Sequence, residues 1–210
     1  KAEMQRKSAE GKYVVAVSNF AVKGLEETGI HVDKVINNST DMSFSPSTYP
    51  IGTYALSLAR GRYFEKGFDL LKQVADEGIK LRIFSDIQLD SPNVENMPFL
   101  EQDKIRDEYL KAAATFHLSR FEGGSLVTLE SLASGCPLIT TPVGYGSDIA
   151  KAIPEFVVNL PLDTEELTEK FQKITKHRNY FAKKGLNYFL KNHNPNKFKR
   201  DWISLVRDIA

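Results

Sequence analysis

Between Thr115 and Thr141 the sequence alternates in a way few folds accept: an apolar run TFHLS, a turn RFEGG, a helical stretch SLVTLESLASG and a second apolar run CPLITT. Such an order is a strand, a loop, a helix and a strand, a βαβ unit whose two strands belong to one parallel sheet. Gly123, Gly124 and Ser125 suit a turn with bare backbone amides, and Ser125 is a good N-cap for the helix that follows. Leu126, Val127, Leu129, Leu132 and Ala133 fill a broad helical face, so the helix is expected to be largely buried, and Gly135 before Cys136-Pro137 ends it. A loop at the carboxyl end of a strand that opens a helix N-terminus is a place for an anion.

This stretch carries two carboxylates, Glu122 in the turn and Glu130 in the helix. An isolated pair of acids is ordinarily solvated and without a role. The βαβ context alters that reading, because Glu130 lies beside Leu126 and Val127 at the edge of an apolar face, where a buried charge needs hydrogen-bond donors. The vicinal hydroxyls of a ribose would supply them.

The rest of the chain repeats the alternation. Tyr13–Ser18 reads as a buried strand and Phe20–Thr28 as a helix stopped by Gly29. Residues 39–53, rich in Ser, Thr and Pro, read as a linker and a domain boundary. Beyond it come a strand over 54–60, a helix over 67–77, a strand over 80–85, a polar loop over 86–96, a short apolar piece at Phe99-Leu100 and a helix over 102–114. After the strand Pro137–Thr141, a short helix from Ser147 is closed by Pro154, and 156–158 reads as a last strand. Asp163 with Glu166 has the pattern of a capping box for a helix carrying Leu167, Phe171 and Ile174. Later helices carry Tyr188, Phe189, Trp202, Leu205 and Ile209, apolar groups expected in a core. The fold class is therefore α/β, a Rossmann-like doubly wound parallel sheet.

A second group of charges stands in LARGRYFEKGF, where Arg60, Arg62 and Lys66 follow a strand and precede a helix. Fixed cations there can hold an anion such as a diphosphate without a metal. Either arginine could serve with Lys66. His117 alternates with apolar neighbours and reads as a core or half-buried histidine. No Cys or His spacing suits a metal, and no Asp-x-Asp pair or Gly-x-Gly-x-x-Gly stands after a strand, which argues against dinucleotide oxidoreductases. With 28 basic and 27 acidic side chains the net charge is +1, which gives no footprint for nucleic acid. A single Cys136 excludes an internal disulfide, and no apolar run approaches the roughly 20 residues of a membrane span. These features suggest a cytoplasmic protein, with a peripheral place on a membrane as the other option.

The run Ser119-Arg120-Phe121-Glu122-Gly123, followed by Leu129-Glu130-Ser131-Leu132-Ala133-Ser134-Gly135-Cys136-Pro137-Leu138-Ile139, resembles the nucleotide-sugar half of retaining GT-B glycosyltransferases of the glycogen-synthase and mannosyltransferase type. The resemblance extends to Gly61-Arg62, Lys66-Gly67 and Val143-Gly144-Tyr145-Gly146, and loosely to Val17-Ser18 and Ile36-Asn37-Asn38. Departures exist: Gly124 stands where an aromatic is common, and Ser125 where Gly is common. The resemblance implies the C-terminal domain of a GT-B fold, divided as a remnant of the acceptor domain (1–38), a linker (39–53), a nucleotide-sugar domain (54–192) and a C-terminal helix (193–210). It implies retaining, metal-independent transfer of a hexose from a UDP-, GDP- or ADP-sugar to a glycan, lipid or other acceptor, with no further cofactor. Glu130 would grip the ribose. Glu122, Gly123, Gly124, Ser125, Leu126 and Val127 would face the donor sugar and phosphates, while Lys66 with Arg60 or Arg62 would hold the diphosphate. Met97, Phe99 and Leu100 would meet the base. The partners implied are the nucleotide-sugar, a sugar or lipid-linked acceptor, and a missing N-terminal domain or partner chain; a non-catalytic nucleotide-sugar-binding subunit is the alternative reading.

Overall fold

The computed structural model describes residues 2–41 and 51–209. The βαβ unit at the centre of the sequence is built from β6 (Ala114–His117), α5 (Leu126–Ala133) and β7 (Leu138–Thr140), with Thr115, Phe116 and His117 in parallel register with Leu138, Ile139 and Thr140. Ser125 caps α5, its hydroxyl accepting from the Thr128 amide at 3.4 Å. Upstream lie β3 (Ala55–Leu58), α3 (Phe68–Asp76), β4 (Leu81–Phe84), β5 (Val94–Met97) and α4 (Gln102–Lys111).

Within the described residues these five strands form one parallel sheet in the order β5-β4-β3-β6-β7. The chain starts in the middle, winds outward through β4 and β5, then returns to the other side of β3 to lay down β6 and β7. Direction reverses between β3 and β6, and at that point the loops leaving the two strands part to open a crevice at their carboxyl ends. Helices cover both faces. Phe116 turns to one side against Phe171, 5.2 Å away on α7 (Thr164–Lys176), while Thr115 on the other side lies 3.4 Å from Cys136. Phe68, Leu71 and Val74 bury the inner face of α3 completely, each worth about 1.5–3 kcal/mol against exposure.

A smaller unit precedes the sheet: α1 (Ala2–Ala9), β1 (Val15–Ala16), α2 (Asn19–Glu27) and β2 (Lys34–Val35), with β1 and β2 in a parallel pair of their own. The strand expected over Tyr13–Ser18 is thus reduced to two residues. Most of the 39–53 linker falls on residues 42–50, outside those described. After β7 come α6 (Gly146–Ala152), α7, α8 (Arg178–Asn192) and α9 (Pro195–Ile209).

Three expectations are corrected. The polar stretch 86–96 ends in strand β5, because edge position lets its polar residues be satisfied sideways. Glu95 pairs with Arg82 on β4 at 2.7 Å, and the Asn96 amide bonds both backbone groups of Leu89 at 2.9 Å. The last strand expected at 156–158 is a 3-10 turn, Pro154–Phe156, followed by a single bridge from Val157 to Thr140. Proline fixes the turn and supplies no amide to a ladder. Of the apolar residues expected in the core, Leu126 is exposed at the start of α5, and Trp202 and Ile209 are exposed on α9, whereas Phe189 and Leu205 are buried. Asp163 does cap α7, its carboxylate accepting from the Glu165 and Glu166 amides at 3.0 and 3.1 Å.

Candidate functional site

At the reversal point the sheet opens into a cleft of about 720 Å³. Its walls are the loop after β3 (Ala59, Arg60, Lys66), the start of α5 (Ser125, Leu126, Val127, Glu130), the apolar piece Phe99-Leu100 with Ile105, and its depth is reached by His117, Glu122 and Gly124. Four of the charges singled out in the sequence, Arg60, Lys66, Glu122 and Glu130, meet here although they are spread over two βαβ units.

Arg120 and Gly67 bring the loops together. The Arg120 guanidinium donates to both oxygens of Asp69 at 2.7 Å and to the Phe64 carbonyl at 2.9 Å, and lies 4.0 Å over the Phe64 ring. Its own amide donates to the Glu65 carbonyl at 2.8 Å. This bidentate pair, which holds the Asp69 carboxyl below its ordinary range, fastens the loop carrying Lys66 to the loop carrying Glu122. Gly67, with φ +71°, lies so close that a Cβ there would meet the Leu118 carbonyl oxygen at 2.1 Å. Neither contact has a signature in the sequence beyond the glycine itself.

The Lys66 ammonium consequently lies 2.6 Å from Oε1 of Glu122. His117 Nε2 approaches the same oxygen at 3.3 Å, an ion-pair distance at which it completes no hydrogen bond. Burial pushes the Glu122 carboxyl up, but His117 and Lys66 outweigh it and hold the group at about 2. Glu130 is tuned the other way. Burial raises its carboxyl, and the buried Tyr109 hydroxyl, donating to Oε2 at 3.1 Å, only partly offsets the rise.

The two carboxylates therefore pull stability in opposite directions with pH. The contribution of Glu122 is complete above its ordinary value of 4.5 and drains away as the pH falls toward about 2. Glu130 favours its protonated form in the fold, so its contribution is complete below the ordinary value and lost as pH rises through the raised one. Glu122→Gln is expected to cost about 1–2 kcal/mol near neutrality, the range for a hydrogen bond between charged groups reduced by solvent at Lys66. That cost should shrink steadily once the pH drops below the ordinary glutamate value. Melting curves of both proteins across the acid range check this, and a pH-independent difference would refute it.

The arginines separate. Arg60 lines the cleft with its guanidinium 3.9 Å above the Phe99 ring. Arg62 adopts a left-handed backbone (φ +53°) after Gly61 and directs its exposed guanidinium to Glu65 at 3.4 Å, away from the cleft lining. Met97, in β5, and Gly123, whose carbonyl accepts from the Ser18 hydroxyl, are not among the residues that line the cleft.

The turn Gly123-Gly124 is held from the small sheet. Beside the Ser18–Gly123 bond, the Tyr145 ring fills the space where a side chain on Gly124 would stand, within 2.9 Å of its ideal Cβ. The Tyr145 hydroxyl donates to the Val17 carbonyl and accepts from the Asn38 amide, both at 2.8 Å, and burial pushes its pKa up to about 12. Among the described residues no group of three or more His, Cys, Asp or Glu is placed to hold a metal ion, and no helix is long and apolar enough to cross a membrane.

The five-stranded parallel sheet flanked by helices is Rossmann-like and matches the C-terminal domain of a GT-B fold. Residues 87–195, just over half of the chain, match the family model described as glycosyl transferases group 1, and the chain belongs to that family. Its fold is similar to that of sucrose-phosphate synthase from Thermosynechococcus elongatus (18% identity, TM-score 0.79, 99% of this chain and 61% of that one). Anabaena HepE in complex with UDP and glucose is similar at 14% identity and TM-score 0.84, over 99% of this chain and 66% of that one. A glycosyltransferase from Rickettsia africae is similar at 19% identity and TM-score 0.74, again over 99% and 66%. The chain thus spans less than two thirds of the length of each. A comparison with curated protein sequences returns no match.

Proposed function

We propose that this chain is the donor-binding half of a retaining glycosyltransferase that takes a hexose from a nucleoside diphosphate sugar. The observation that carries the reading is the convergence of Arg60, Lys66, Glu122 and Glu130 on one cleft at the switch point of the sheet. Glu130, a carboxylate at the mouth of an apolar helix face, accepts from the two ribose hydroxyls. Arg60 and Lys66 take the diphosphate, with the amides at the start of α5 adding an uncharged anion site. Glu122 with Gly124 and Ser125 meets the donor sugar, and Phe99 with Leu100 packs the base.

Transfer then proceeds with retention, the cations taking up the charge that develops on the leaving diphosphate and that phosphate guiding the acceptor. A first domain, in the same polypeptide or in a partner chain, supplies the acceptor side, in keeping with a chain that spans under two thirds of its structural neighbours. A nucleotide-sugar-binding subunit that depends on a partner for turnover is the second reading; a similar structure is that of a GtfA/B complex.

Calorimetric titration with UDP, GDP and ADP, each with and without EDTA, tests the proposal. One of the three should bind, and EDTA should leave its affinity unchanged, because side chains rather than an ion meet the phosphates. Absence of binding by all three would overturn the donor-site reading, and a strict need for magnesium or manganese would overturn the metal-free one.

A further inference from the structure

His117 is a costly residue for its position. It closes strand β6, is only 6% exposed, and its Nε2 has no hydrogen-bond partner. A buried polar group left unsatisfied is destabilising, and an aliphatic side chain would fill the same place without that cost. Strand alternation explains where the ring goes. Phe116 packs on Phe171 at one face of the sheet, so His117 faces the other, where it lines the cleft between Lys66 and Glu122.

The chemistry of the three groups is complementary. Glu122 is an anion at any working pH and can only accept; Lys66 can only donate. His117, facing the Glu122 anion at 3.3 Å, presents Nε2 as a donor. In the free protein Lys66 occupies Oε1 of Glu122, leaving Nε2 without an acceptor in line. A ligand that draws the ammonium toward a phosphate vacates that oxygen beside an imidazole N–H. Donor and acceptor side by side fit one functional group of a sugar: a hydroxyl, which donates to the carboxylate while accepting from the imidazole.

We infer that His117 is a substrate-contacting, specificity-determining residue, which together with Glu122 recognises a single hydroxyl of the donor hexose. The inference rests on the proposed donor site and adds to it the residue that reads the sugar. It also names what the site rejects: a deoxy position leaves both buried groups unpaired, an ether or a fluorine at that carbon leaves the carboxylate without its donor, and such sites discriminate strongly.

The test compares His117→Leu, which keeps the volume and removes the donor, with His117→Gln, whose amide restores one. Affinities are measured for whichever of UDP and UDP-glucose, GDP and GDP-mannose, or ADP and ADP-glucose binds the unaltered chain. His117→Leu should lower the ratio of nucleotide-sugar to nucleotide affinity by about tenfold, the scale of one hydrogen bond in a charged setting, and His117→Gln should recover most of it. In a panel of deoxy analogues of the bound sugar, one position should abolish the difference between wild type and His117→Leu, which a merely structural histidine could not do. If nucleotide and nucleotide-sugar weaken together, or neither changes, or every deoxy analogue keeps the difference, the assignment of His117 is wrong. If no pair binds the unaltered chain, the donor-site reading itself fails.

Discussion

Glu130→Ala should abolish most of the affinity for a nucleoside diphosphate, by about 2–4 kcal/mol or roughly 30- to 900-fold, because the proposed donor site would lose two charge-assisted hydrogen bonds from a ribose together. Part of any change would come from the fold. Tyr109 is fully buried and its hydroxyl leans on Glu130 at 3.1 Å, so alanine leaves that hydroxyl with only the Val127 carbonyl at 3.5 Å. Glu130→Gln separates the two effects, since its amide oxygen can still accept from Tyr109 while the charge is gone. Both variants should lose nucleotide affinity, and only alanine should lose about 1–3 kcal/mol of stability as well. Glu122→Gln supplies the contrast: it releases Lys66 from its 2.6 Å partner and should leave diphosphate binding as strong or stronger. Calorimetry and melting curves on the three variants decide it; nucleotide affinities within about 0.5 kcal/mol of wild type for both Glu130 variants would mark it as an ordinary surface acid.

Gly67→Ala is expected to be the most damaging small substitution in the cleft. A methyl group there would meet the Leu118 carbonyl oxygen at 2.1 Å and its carbon at 2.9 Å, both backbone atoms of the residue that follows β6, in a left-handed conformation that alanine resists. Relief requires the loop to lift from β6, and lifting it moves Lys66 away from Glu122. A loss of about 2–4 kcal/mol in stability, from backbone strain and the contacts given up, should accompany loss of nucleotide affinity. Gly61→Ala on the same loop is the control, because its Cβ would meet nothing within 4 Å although φ is +49°. Denaturant melts of the two variants give the answer: equal, small effects would mean that the approach to Leu118 is not what seats the loop.

The sequence was most legible where local chemistry and long-range contact agree. The strand–turn–helix–strand from Thr115 to Thr141 carries its own punctuation in Gly123, Ser125 and Gly135, and the structure follows it to within a residue or two. Strand β5 was hidden because its polarity is satisfied by a neighbouring strand and a loop, through Arg82 and Leu89, and neither pairing is visible along the chain. The cleft shows the same division. Residue types and spacing show Glu122 with Glu130 and Lys66 with two arginines as separate groups, but which arginine lines the cleft depends on two consecutive left-handed residues after Arg60, a geometry that spacing does not encode. His117 was obscured by its surroundings: one histidine among apolar neighbours has the pattern of a core residue, and it is buried as a core residue would be. Only its missing partner and its place beside Glu122 distinguish it.

Tyr145 links two parts of the molecule that the sheet order keeps separate. Its hydroxyl bridges Val17, just after β1, and Asn38, beyond β2, while its ring rests on the turn that carries Glu122 toward the cleft. The side chain is almost wholly buried and touches both parts at once. The turn that bears Glu122 is therefore seated on the small sheet as well as on its own βαβ unit, through one phenol ring.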